Sequence, residues 1–214
     1  MATNRSLQKT FTVALKQNKI RAALAMATLL FLIGYTIQMQ NKQASVDTKT
    51  YRPLLNLIAK AESRGNYNAY FGNASNNSID FTSMTIAEVL NWQAEYIRKG
   101  SPSSAVGRYQ ILNTTLSGLV ARHNISKDQR YDKKTQDELA VKLLERRGSI
   151  AYVNKELSRK EFAASIAKEW ASLPKVVGDN PEKSYYHGDG LNKSLIQVDD
   201  VLDAIEPIKP KNAP

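Results

Sequence analysis

No cysteine occurs in the 214 residues, which excludes a disulfide framework and a thiolate metal site. Export remains compatible with that lack, because a domain of this size can be stable without disulfides. Histidine is nearly as scarce. His123 and His187 have no obvious partners in the sequence, so serine triads and a zinc site built on them are poorly supported. No glycine-rich loop follows a strand-like run, which argues against nucleotide chemistry. No cofactor and no metal are expected. With those classes removed, acid–base chemistry by carboxylates remains.

The charge is unevenly placed. Residues 1–21 hold five bases and no acid, while the other 193 hold 25 bases and 20 acids, for a net +10. That remainder shows no concentrated basic stripe with interleaved aromatics, so no nucleic-acid partner is expected. Residues 22–41 are uncharged. Their apolar part, 22–39, is close to the minimum that spans a bilayer as a helix. The five bases that precede it place the N-terminus in the cytoplasm and the following domain on the far side, the periplasm of a Gram-negative cell. A cleaved signal peptide is the alternative. The apolar run is long for one, however, and Lys42 stands where a cleavage site needs a small residue. The expected order is therefore a basic cytoplasmic tail (1–21), a transmembrane signal anchor (22–41), a polar linker (42–50), one folded domain (51–206) and a tail (207–214). Several alanines and threonines make the anchor only modestly hydrophobic, so a segment that later leaves the bilayer is conceivable.

The domain reads as mostly helical, of α+β class. Pro53 suits a first helical turn, and Leu54, Leu55, Ile58 and Ala61 continue a helix that Gly65 stops. Residues 63–82 read as a loop, with room for short strands around 68–73 and 78–82. Thr85 with Glu88, and Ser158 with Glu161, have the spacing of capping boxes. The first opens a helix closed by Gly100. The second opens one expected to run through Trp170 to Pro174. Asp132 is placed to cap a helix over 133–148, with Leu139, Leu143 and Leu144 inward. A last amphipathic run covers 195–205.

Within the first of these helices, Leu55, Ile58 and Glu62 share one face. A carboxylate in line with core residues should be partly desolvated, which raises its pKa, and the negative end of the helix dipole pushes the same way. Such a group can serve as a general acid. The same residue could equally be a helix-end glutamate paired with Arg64 or Lys60.

Four stretches bear on that choice. Residues 61–70, "AESRGNYNAY", resemble the first motif of lytic transglycosylases and their lysozyme-like relatives, a glutamate and serine ending an apolar helix. "SSAVGRYQIL" (103–112) resembles the second, and its Gly-Arg-Tyr-Gln form is similar to the phage-lambda-type endolysins. "KKTQDELAVKLLERRG" (133–148) and "EWASLP" (169–174) match that family's pattern in the same order. The resemblance covers residues 54 to about 196. It implies a lysozyme-like catalytic domain that degrades peptidoglycan, cleaving between N-acetylmuramic acid and N-acetylglucosamine. Glu62 falls at the family's single catalytic glutamate, which protonates the glycosidic oxygen and then accepts the C6 hydroxyl proton as a 1,6-anhydro ring closes. A hydrolase would instead use a second carboxylate. Asp80 is the nearest candidate for that role, although a loop aspartate is more often a cap.

By the same resemblance Gln110 contacts sugar near the scissile bond. Ser63 either orients the glutamate or simply bonds the helix backbone. Tyr109 either lines the cleft or packs half-buried. Tyr186, with Tyr185 on the same loop, could stack on sugar rings, and Trp170 belongs to the core. The implied partners are glycan strands, the membrane through the N-terminal helix, and virion, lysis or secretion-machine proteins. The membrane segment departs from commonly soluble relatives. It suits an enzyme working from the periplasmic side or from a virion membrane, for lysis, genome entry or wall remodelling. A non-cleaving wall anchor of the same fold is the other reading.

Overall fold

The structure, a computed structural model, describes residues 46–210 and the isolated helical positions Met26, Thr28 and Leu29. The chain divides into two compact units, Met1–Gln43 and Ala44–Pro214. The expected basic tail, most of the expected spanning segment (22–41), positions 42–45 of the linker and the end of the tail lie outside the described residues. Among the described residues no helix is long and apolar enough to cross a membrane.

The second unit is built from helices, as its patterning predicts. A 3₁₀ turn, Thr48–Tyr51, is capped by the Asp47 carboxylate and leads into helix α1, Arg52–Ser63, with Pro53 in its first turn. Helix α1 ends because Arg64 adopts a left-handed conformation (φ 55°), which lets Gly65 N–H return to Ala59 O at 2.9 Å. Arg64 N–H reaches the same oxygen in a six-to-one bond, so this terminal carbonyl is satisfied. Helices α2 (Ile86–Arg98) and α3 (Asn113–His123) pack together. Then come α4 (Lys133–Arg146), α5 (Ser149–Val153), α6 (Arg159–Ile166) and α7 (Val198–Ile205). Helix α7 rests against α1 and α6. The predicted caps form: both boxes close at Thr85–Glu88 and Ser158–Glu161, and Asp132 accepts from Thr135 N–H at 2.8 Å.

Three expectations are corrected. The helix opened by Ser158 ends at Ile166 rather than running to Pro174, because Trp170 and Ser172 turn away to make tertiary hydrogen bonds. The last helix starts at Val198, three residues later than expected. No strand longer than a single bridge forms among the described residues. Tyr70 bridges Asn73 and Val106, and Phe81–Ser83 is a 3₁₀ turn. Helix α3 carries no side-chain cap and is rich in Thr, Ser and Gly, residues of low helix propensity, so its pattern gives little sign of it.

One contiguous apolar core runs through the unit. It includes Tyr51, Leu54, Ile58, Phe81, Ile86, Leu116, Leu139, Leu143, Phe162 and Trp170. Burial of each such side chain stabilises the fold by roughly 1.5–3 kcal/mol. Because Leu54, Ile58 and Ala59 are fully buried, α1 is fixed as a central element, and its C-terminal end is fixed with it.

Candidate active site

That end opens onto a groove of about 790 Å³. Ala61, Glu62 and Arg64 form its floor, Tyr70 to Ala74 and Ser103 to Ala105 one wall, and Glu169 to Ser172 with Tyr186 and Leu195 the other. Tyr70 packs edge-on against Phe81, Trp92 and Tyr96, and the rings of this cluster lie 4.7 to 6.3 Å apart.

Glu62 is one of the two acids lining the groove. Its Oε1 accepts the Ser172 hydroxyl at 2.6 Å and, more weakly, the Ser172 N–H at 3.4 Å. Burial raises its pKa above the ordinary 4.5, and the two Ser172 donors pull part of the way back. The alternative pairing with Arg64 or Lys60 does not form; among the described residues Ser172 is the hydrogen-bond partner of this carboxyl.

Gln110 lines the same groove. It sits at φ 47°, a left-handed conformation that costs a non-glycine residue about 1 kcal/mol or more. Its side-chain N–H donates to Gly107 O at 2.9 Å, which leaves the amide oxygen free to accept. Two buried glutamines hold this turn in place. From α4, Gln136 accepts from Arg108 N–H at 2.9 Å and donates to Tyr67 O and Tyr131 O. From α2, Gln93 donates to Ser104 O and Ile111 O at 2.7 and 2.8 Å. Gly107 is required here. At φ +84° a Cβ would strike the Gln136 amide and the Tyr131 hydroxyl.

Tyr186 also lines the groove, 42% exposed, with its hydroxyl donated to Lys168 O at 2.8 Å. Tyr185 lies beneath the Lys168 ammonium, 5.5 Å from the ring centre. Ser63, Tyr109 and Asp80 do not line the groove. Ser63 is fully buried and donates to Ala59 O and Arg108 O at 3.0 and 2.7 Å, so it ties α1 to the 107–110 turn instead of orienting Glu62. Tyr109 is 2% exposed and turned the other way. Its hydroxyl donates to Asp137 at 2.7 Å beside the Arg108 guanidinium, at a separate depression of about 770 Å³. Burial and the Asp137 carboxylate raise its pKa. Trp170 is core, and its indole N–H donates to Tyr109 O at 3.1 Å. Asp80 is exposed, caps the 3₁₀ turn through Thr82, and does not line the groove.

Two groove residues lie inside the quoted 169–174 stretch, but nothing in the sequence singles either out. Glu169 is the second acid of the groove. Its side chain is 8% exposed and its Oε2 lies 2.6 and 2.8 Å from Arg146 and Arg147. Ser172 gives no signal of its own, being one serine in a stretch that patterning assigns to a helix. Gln136, which supports the groove without lining it, is different. It lies three and seven residues before Leu139 and Leu143, a polar group on an apolar stripe, and so is detectable by the rule that singles out Glu62.

Residues 52–190 match the family model described as Endolysin. No curated protein matches the chain. A solved structure described as bacteriophage lambda lysozyme complexed with a chitohexasaccharide is 17% identical to it. That likeness covers 76% of this chain and 94% of that one, at a TM-score of 0.47.

Proposed function

The chain belongs to the endolysin family, and from that premise we propose that its groove binds peptidoglycan glycan strands and cleaves them as a lytic transglycosylase. The bond broken is the β-1,4 link between N-acetylmuramic acid and N-acetylglucosamine, and the product carries a 1,6-anhydro-muramoyl end. One observation carries the choice of reaction. Glu62 and Glu169 are the acids lining the groove among the described residues, and Glu169 is held by two arginines. A single free carboxyl suits a mechanism in which the substrate's own C6 hydroxyl is the nucleophile. Hydrolysis by paired carboxylates needs a second one.

In this reading Glu62, its pKa raised by burial, gives its proton to the glycosidic oxygen as the C1–O bond breaks. The resulting carboxylate then takes the proton of the C6 hydroxyl as that oxygen bonds to C1. Gln110 and Tyr186 contact the sugars, while Ser63 and Tyr109 build the frame. The run 22–41 tethers the enzyme to a membrane with the domain on the periplasmic side, for lysis, genome entry or local wall remodelling.

The test uses the full chain in mild detergent on purified sacculi. Turbidity falls, and mass spectrometry of the released muropeptides finds anhydro ends. Glu62→Gln slows clearing by about 100- to 10,000-fold. Reducing ends would replace ring closure with hydrolysis, and undiminished clearing by Glu62→Gln would remove the assignment of Glu62.

A further inference from the structure

Segment 169–173 leaves its helix early and is held on three sides. Glu169 accepts from Arg146 and Arg147, the Trp170 indole N–H donates to Tyr109 O, and Ser172 O accepts Leu195 N–H at 2.8 Å. The anchored loop sets a 5% exposed serine against the groove carboxyl, with hydroxyl and backbone N–H both directed at Oε1.

A backbone N–H can only donate. An oxygen that accepts it, together with a hydroxyl at 2.6 Å, is poorly placed to carry a proton itself. Oε2 has no hydrogen-bond partner among the described residues. We propose that Ser172 is a positioning residue that confines the Glu62 proton to Oε2 and takes up the charge on Oε1 once that proton has gone to the glycosidic oxygen. The inference rests on Glu62 being the acid.

The chemistry balances. The proton leaves Oε2 for the departing sugar oxygen, and the negative charge left on the carboxylate strengthens both bonds from Ser172, since hydrogen bonds to an ionised acceptor are the stronger ones. The proton of the C6 hydroxyl then returns to Oε2 as the ring closes. The other ionisable side chains lining the groove are Arg64, Tyr70, Glu169, Tyr186 and Lys193, and none of them hydrogen-bonds Glu62. Ser172 is therefore the direct handle on this carboxyl.

The full chain and its Ser172→Ala variant are compared on solubilised glycan strands across pH. Loss of the hydroxyl lowers kcat by about 10-fold and leaves KM within about twofold, since the bond matters most as charge develops. The alkaline limb, where Glu62 loses its proton, moves to higher pH, because the donor removed favours the ionised form. Ser172→Thr restores the limb. Ser172→Cys, nearly isosteric with a weaker donor, shifts it in the alanine direction and serves if alanine prevents folding. An unmoved limb, with Glu62→Gln inactive, overturns the role of Ser172 alone. An active Glu62→Gln overturns the acid assignment beneath it.

Discussion

At the scale of residues, burial and function oppose each other at Glu62. The folded carboxyl holds its proton to higher pH than the unfolded one. Between the two values the native state therefore binds more protons, and stability falls as pH rises through that window. Glu62→Gln removes the ionisable group and keeps an oxygen for Ser172. We expect the variant to match the wild type in stability below pH 4.5 and to melt higher at neutral pH, the gap opening as pH rises through that window. A gain of about 1 kcal/mol is roughly 2–4 °C in a chain of this size. Scanning calorimetry at acid and neutral pH checks it, and equal melting at both would mean the carboxyl is not strained by burial. The capping acids act in the opposite sense. Asp80, Asp132, Glu88 and Glu161 have pKa values lowered from the ordinary 3.8 and 4.5 by the hydroxyls and N–H groups they accept. Their contribution is present above the ordinary values and lost as pH falls through the lowered ones, in both proteins alike.

At the scale of elements, the 104–111 turn is suspended between two helices by one glutamine from each. Gln136→Leu strips partners from three backbone groups, Arg108 N–H, Tyr67 O and Tyr131 O. At about 1 kcal/mol or more for each buried group left unpaired, we expect a loss of about 3 kcal/mol in urea unfolding, with clearing reduced because Gln110 loses its support. Gln93→Leu strips two and also removes a buried Oε1 that has no partner, so its cost should be smaller. A larger loss in Gln93→Leu would contradict this hydrogen-bond accounting. The same elements show what patterning could and could not reveal. Caps at Asp132, Thr85 and Ser158 were readable because they are local, and Glu62 was readable because period 3.6 put it among apolar residues. Ser63 and Tyr109 adjoin motif residues in sequence but face away from the groove. Ser172 needed a loop held from α4, the 107–110 turn and Leu195, contacts that no local pattern encodes.

At the scale of the whole molecule, the two units carry different charge logic. Residues 1–21 are basic without acids, the run 22–41 is uncharged, and all 20 acids lie beyond it. If the run spans a membrane, as proposed, the preference of lysine and arginine for the cytoplasmic side orients the basic tail there and delivers the Glu62 groove to the side where the wall lies. The full chain, produced in a Gram-negative cell, should sediment with membranes and stay there through a high-salt wash, since apolar insertion is not screened by salt as surface attraction is. Protease added to spheroplasts should digest the groove-bearing domain and spare the basic tail. Placing arginines at Leu30 and Leu32 adds about 2.5–3.5 kcal/mol each at the centre of the run and should release the chain to the cytoplasm, where it meets no peptidoglycan. Release by salt alone would reduce the tether to charge. A mature chain shortened past residue 41 would make the run a cleaved leader, and would leave the groove to reach the wall untethered.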